Sequence, residues 1–429
     1  MRWVFRAWLR VQLVRHIAAL VNHARVRRFL SLEVPPTDVG PEVFVVLPVL
    51  HEADSLEDAV DFFTSLISEG DSVVIVTSDR EIAAAGAAGT STSTVDLAQS
   101  LANRPAVIHG HLADSAAFKA DQLNYAARLI AEELAAHAET ALMVVYDIDS
   151  RPDPTSIDAL RSSAAQWPHV SLFQQSSRFL LEKWDVRLPR YQRILADAGA
   201  LRANRFVMST ELPRLLARRP TSSFWQRMSS RLSYGHLVGH GLGIRVHFLL
   251  SHPMPDHTPM EDMFYGFQMA VRAAPIVPLH KVDSAEVPSS PAEQFRQLER
   301  WFLGPSRVGS YIRHPNTPRT PATAVVAAMA ALITVEWLTA VAALPVTVAS
   351  SGVLGSKHQR LLVATVVAVG CELVSAELTL GSAEDGRRRR AMRVAAYPIA
   401  ASAFGLAGWS SIVKHLTGRP VAHKTSHTG

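Results

Sequence analysis

The sequence predicts an α/β fold with a mixed, mainly parallel sheet, followed by membrane-spanning helices. Three observations predict it. Short continuous apolar runs alternate with helix-spaced segments between Glu42 and Tyr146, two aspartates end one of those runs, and long apolar stretches follow Thr320.

Val43 to Leu50 is apolar apart from Pro48, as expected of a strand buried on both faces. Leu56, Val60, Phe63 and Leu66 then recur at helical spacing, and Val73 to Thr77 reads as a second strand. That order implies a parallel pair joined by a right-handed crossover. Residues 83–100 are small and polar and read as a loop with a short helix. Phe118 to His137 reads as a helix and Ala141 to Tyr146 as another buried strand. Ligands of such sheets bind beyond the carboxyl ends of the strands, where Asp147 and Asp149 fall.

After residues 41–310 comes a predicted membrane part, 320–416, with spans at 323–344, 361–380 and 392–413. Each reaches the roughly 20 residues a bilayer core requires. Glu336 is the only charge in the first, and Glu372 and Glu377 lie in the second. The alternative is a hairpin of buried soluble helices. Arg387 to Arg390, with Arg313, His314 and Arg319, marks the cytoplasmic side. The expectation is a multi-pass protein of a bacterial plasma membrane with a cytoplasmic catalytic part. Three full spans put the polar tail, 417–429, outside, whereas Lys414, Arg419 and Lys424 favour the inside; a re-entrant third segment would reconcile them. Glu336 and Glu372 either line a groove for an acceptor hydroxyl or lipid headgroup, or bond to neighbouring helices or sit in a dimer contact.

In residues 1–40, Arg2, Arg6, Arg10 and Arg15 interrupt every apolar run that a cleaved signal would need. As a helix, this segment sets Arg2, Arg6 and Arg10 on one stripe and Val4, Trp8, Val11 and Val14 on another. It fits a helix on an anionic membrane surface or a basic helix packed on its own domain. The single cysteine, Cys371, excludes an intrachain disulfide and a cysteine-based zinc site. A net charge of +5 without a concentrated basic, aromatic-lined groove gives no sign of nucleic-acid binding. His236, His240, His247, His252 and His257 lack paired zinc spacing and read as loop and core residues.

Asp147-Ile148-Asp149, with a turn over Ser150 to Pro154, can present two hard oxygen ligands suited to Mg2+ or Mn2+ and, through them, a diphosphate. Solvated turn residues are the plainer reading. Glu261-Asp262 follows a loop rich in Pro and His, His252 to Pro259, and opens a helical pattern of Met263, Phe264, Phe267 and Val271. The pair either complements the helix dipole or supplies a general base. Gln297-x-x-Arg300-Trp301 places Gln297 and Trp301 on one helix face. Arg300 can pair with a diphosphate and Trp301 can stack on a sugar, or the helix simply leads to the membrane with Trp301 and Phe302 as anchors.

Taken together, these motifs resemble a membrane-bound family-2 glycosyltransferase of the cellulose, chitin and hyaluronan synthase type, from Val43 to Gly304 and through the spans beyond. In that family a GT-A nucleotide-sugar-binding fold carries a DxD metal motif, an ED base motif and a Q-x-x-R-W motif, in this order. Leu47 to Glu52, Lys119 to Asn124 and Gln174 to Phe179 resemble further family segments. The resemblance implies metal-dependent, inverting sugar transfer from a nucleotide-sugar donor, UDP by family habit, to a glycan or lipid-linked acceptor beside membrane lipid. It implies Asp149 and Asp147 as metal ligands, Asp262 as base and Glu261 as its support. Glu52, Asp79, Lys119, Asp147 and Arg300 would meet the donor, and Gln174, Gln297 and Trp301 the acceptor.

The chain departs from the family pattern in three places. Asp79 stands alone where many relatives have paired aspartates, and His51 replaces the usual asparagine. No spans precede the catalytic part, so an anchor or acceptor platform is expected more than a closed polymer channel. A nucleotidyl-transferring enzyme on a similar sheet and a non-enzymatic partner of a synthase are the alternatives.

Overall fold

The computed structural model describes residues 2–33, 40–81, 93–134, 137–181, 187–220, 223, 224, 228, 234, 237–256, 258, 260–353, 356–382, 385–419 and 421. His236, His257 and most of the 417–429 tail lie outside them, as do the side chains of Arg2 and Val4. The strands are β1 (Val43–Pro48), β2 (Ser72–Ser78), β3 (Val107–Leu112), β4 (Leu142–Val145), β5 (Arg151–Pro152), β6 (Leu172–Gln174), β7 (Ser177–Leu180), β8 (Leu242–Arg245), β9 (Ile276–Pro278) and β10 (Asp283–Glu286). The helices are α1 (Arg2–Leu30), α2 (Ala53–Thr64), α3 (Thr94–Leu101), α4 (Lys119–Leu129), α5 (Ser156–Gln166), α6 (Arg190–Phe206), α7 (Leu212–Arg218), α8 (Val246–Ser251), α9 (Glu261–Val271), α10 (Pro291–Ser306), α11 (Val308–Arg313), α12 (Pro321–Val353), α13 (Ser356–Leu380) and α14 (Arg387–Leu416).

Seven strands form the main sheet in the order β3-β2-β1-β4-β8-β6-β9. Only β8 runs against its neighbours, so the sheet is mixed and mainly parallel, as expected. Register divides β1 between two cores. Val45 lies opposite Val73 and Val144, and these three face α2 and α5 beside Leu56, Phe63 and Leu160. Val46 lies opposite Val74 and Val145, which face the other side with Leu123 and Tyr265. Each fully buried aliphatic side chain contributes roughly 1.5–3 kcal/mol. Continuous apolar runs follow from burial on both faces.

β3 was not foreseen, because His109, Gly110 and His111 interrupt its apolar pattern. The structure pairs them inward, with Thr77 Oγ1 2.8 Å from both His109 Nε2 and His111 Nδ1. The turn expected over Ser150 to Pro154 lies earlier, at Ile148 and Asp149, with Ser150 N–H donating to the Asp147 carbonyl. Arg151–Pro152 then runs as β5 into a second, three-stranded sheet, β5-β10-β7.

Among the described residues, three helices are long and apolar enough to cross a membrane: Pro321–Val341 in α12, Gln359–Leu380 in α13 and Arg387–Leu416 in α14. The expected stretches 361–380 and 392–413 lie within the second and third of these, and 323–344 runs three residues past the end of the first. They also pack closely on the rest of the chain, since α13 lies along α1 and α6, and α14 along α6 and α10. Leu373, Ala376, Leu380 and Tyr397 join the same core as β1 and β4. Glu372 is fully buried and accepts from Arg205 Nε at 2.8 Å, with His16 Nδ1 at 2.7 Å, so it bonds to neighbouring helices. Glu336 pairs with Arg15 at 2.9 Å. Of the arginine cluster, Arg387 and Arg388 are exposed, while Arg389 turns inward to Asp197 at 2.9 Å.

α1 has two apolar faces. Leu9, Ala19, Val26 and Phe29 are buried against the protein, while Trp3, Val11, Val14, Ile17 and Val21 are exposed.

Candidate functional site

The site gathers at the carboxyl ends of β1, β2 and β4, where β8 begins. His51, three residues beyond β1, lies in the left-handed region (φ 58), a conformation that asparagine adopts more readily than histidine. Glu81 holds it through the His51 N–H and through Nδ1 at 3.1 Å. Glu52, half-buried, stands beside it at the start of α2. Asp79 extends from β2 to His111 Nε2 at 3.0 Å.

Lys119 opens α4, and its Nζ donates to Asp147 Oδ1 at 2.5 Å and to the Gly239 carbonyl at 2.7 Å. The Lys-x-x-x-Leu-Asn pattern acquires a physical reason in this helix. Leu123 is buried in the core, and the Asn124 amide exchanges two hydrogen bonds with the Met254 backbone, at 2.9 and 3.0 Å. Asp149 is exposed and makes no bond among the described residues, and no group of three metal-ligating side chains occurs among them. Asp149 is open to solvent and Asp147 is half-buried with one oxygen on Lys119, so a cation held here would draw its remaining ligands from substrate oxygens and water.

Residues 237–241 lie across the end of the sheet and connect the two acidic motifs. Gly239 N–H donates to Asp262 Oδ2 at 3.0 Å, and Met263 N–H to Asp262 Oδ1 at 2.6 Å. A Cβ on Gly239 would sit 3.3 Å from Asp262 Oδ2 and 3.5 Å from Glu261 Oε1. Gly241 (φ +63) passes so close to Gln175 that a Cβ would lie 2.8 Å from its side chain. Gln174, expected to meet an acceptor, is instead fully buried beneath this segment. Its Oε1 accepts from Val238 N–H and its Nε2 donates to the His240 and Gln175 carbonyls, so its amide is committed to shaping the loop.

Glu261 is buried and Asp262 half-buried at the start of α9. Burial pushes Glu261 up to about 7, and the neighbouring charge of Asp262 adds to the shift. Burial raises Asp262 as well, opposed by the Met263 N–H, Lys119 and the Gly239 N–H. Glu261 is the natural holder of a shared proton, because two backbone donors favour the ionised form of Asp262.

The Q-x-x-R-W residues lie on α10. Gly304 is so close to α9 that a Cβ would meet Met263 and Met260, the residues flanking the acidic pair. Arg300 is one turn earlier on that stripe, half-buried, with burial disfavouring its charge and no anionic partner among the described residues. Trp301 meets Phe179 edge to face at 6.3 Å, and Gln297 is half-buried on the same face. Glu299, between them, is buried and fastened to α14, accepting from Ser410 Oγ at 2.5 Å and Lys414 Nζ at 2.7 Å.

The sequence reading missed a second polar pair. His240 Nδ1 lies 3.1 Å from Asp283 Oδ2 and 3.2 Å from Ser177 Oγ. Burial alone would lower the imidazole, but Asp283 and the charge of Asp147 raise it overall. Ser177 and Asp283 lie on β7 and β10 and His240 in the bend before β8, and no spacing announces them.

No protein-family model matches the chain, and no curated protein does. Among solved structures, it is similar to the mannosyltransferase PcManGT from Pyrobaculum calidifontis, solved in complex with GDP-Man and Mn2+. That likeness has 18% identity and a TM-score of 0.49, over 94% of this chain and 99% of that one. Similarity to S. aureus TarS has 13% identity and a TM-score of 0.37, over 84% of this chain and 55% of that one.

Proposed function

We propose that the chain is a glycosyltransferase that moves a sugar, with inversion, from a nucleoside-diphosphate donor to an acceptor hydroxyl at a membrane. The observation that best supports this is Gly239, which connects the Lys119–Asp147 ion pair to the Asp262 carboxylate across one residue. A charge-binding group and a base are thereby kept within a single cleft.

In this reading Asp262 takes the proton of the acceptor hydroxyl, and the acceptor oxygen forms its bond to the anomeric carbon as the bond to the diphosphate breaks. The electron pair leaves with the diphosphate. Lys119 and Arg300 offset that charge, and the protonated Glu261 avoids placing a second negative charge beside the base. Asp149 and Asp147 would hold Mg2+ or Mn2+, which supplies further charge neutralisation when bound. Glu52 and Asp79 border the nucleoside, while Gln297 and Trp301 border the acceptor.

The acceptor is a glycan or a lipid-linked group, and the three apolar helices act as anchor and platform with the site on the cytoplasmic side. Asp262→Asn tests the assignment. Purified protein should lose transfer by roughly 10²–10⁴-fold while still binding donor nucleotide; unchanged turnover would remove Asp262 from this role.

A further inference from the structure

Away from the acidic residues, an open cavity lies where the end of α1 meets the end of α13. It has a volume of about 470 Å3 and is lined by Leu20, His23, Arg27, Arg28 and Ser31 of the N-terminal segment and by Ser375 of α13. His23 is 1% exposed, and neither ring nitrogen has a partner among the described residues. Arg27 and Arg28 are exposed and likewise make no ion pair among them. The nearby Glu372 is already committed to Arg205 and His16. Two cations, the Ser375 hydroxyl and an unsatisfied imidazole therefore converge on a space with no anion among its described lining residues.

The surroundings indicate where that anion comes from. α1 exposes Val14, Ile17 and Val21, and α13 exposes Val367, Val374 and Leu378, so apolar side chains lead toward the basic cavity from both helices. Acyl chains would lie along these faces, with a headgroup at their end. We propose that this cavity binds the phosphate of a membrane lipid. Arg27 and Arg28 pair with its oxygens, and Ser375 and His23 donate hydrogen bonds to it.

The test uses the full chain, purified in detergent, with bound lipid counted by native mass spectrometry. The probes are dioleoylphosphatidylglycerol and dioleoylglycerol, which has the same chains without phosphate. The expected result is one retained phosphatidylglycerol that dioleoylglycerol does not replace and millimolar inorganic phosphate does not displace. Arg27→Gln/Arg28→Gln should weaken retention by roughly thirtyfold, at about a factor of five for each basic side chain. Arg10→Gln/Arg25→Gln, on the same helix but outside the cavity, should leave it nearly unchanged. Ser375→Trp, which fills the space without altering charge, should abolish it. Equal losses in the two arginine pairs, or unchanged retention in Ser375→Trp, would overturn the proposal. Equal retention of dioleoylglycerol, or displacement by inorganic phosphate, would overturn the assignment to a lipid phosphate.

Discussion

Lys119 and Asp262 bind opposite sides of one glycine: the Gly239 carbonyl accepts from Lys119 Nζ at 2.7 Å, and its N–H donates to Asp262 at 3.0 Å. Any movement of that glycine shifts the ion pair and the carboxylate together.

Gly239→Ala is a sharp probe of this coupling. The added Cβ would press on Asp262 at 3.3 Å without disturbing the core. Transfer should fall by at least about tenfold, because small displacements at a reacting centre are costly. Thermal unfolding should barely change.

Glu261 gives a pH dependence with a definite sign. Its folded pKa, about 7, exceeds the ordinary 4.5, so between those values the native state holds more protons than the unfolded one. Stability should therefore fall as pH rises from about 4.5 through 7. Glu261→Gln cannot ionise, and its melting temperature should fall less than that of the unsubstituted protein between these limits.

Arg300 calls for a comparison of charge with geometry. Arg300→Lys keeps the cation but loses the planar fork that grips a diphosphate. Donor nucleotide affinity, measured by calorimetry, should weaken by about tenfold in Arg300→Lys and by more in Arg300→Ala. Equal affinity in all three proteins would place Arg300 outside the donor contact.

Lys414→Met leaves the buried Glu299 carboxylate without its cationic partner. The loss should be about 1–3 kcal/mol in denaturant unfolding, and Glu299→Gln in the same chain should recover part of it. Transfer by Lys414→Met should also fall, since Glu299 shares α10 with Arg300 and Trp301.

Much of the fold was legible because burial on both faces writes continuous apolar runs into β1, β2 and β4. β3 was hidden by its histidines, and β5 has only two residues, too few to carry a period. Asp147, Asp149, Glu261 and Asp262 stood out by order and setting. His240 and Asp283 did not, being 43 residues apart and joined only by tertiary structure. Gln174 lay in a recognisable segment, but sequence could not reveal that its amide is spent on the backbone. On α1 the sequence pointed to one apolar face with Trp8, Val11 and Val14, which are exposed, while Leu9, Ala19, Val26 and Phe29 are the residues buried.

The attachment of α13 and α14 to the α/β core bears on how the protein can be handled. A chain cut before Pro321 would not yield a smaller soluble version of the same fold. It would strip Leu373, Leu380 and Tyr397 from a shared interior and leave Glu299, Asp197 and Arg205 facing empty space. The complete C-terminal helix therefore belongs in every preparation.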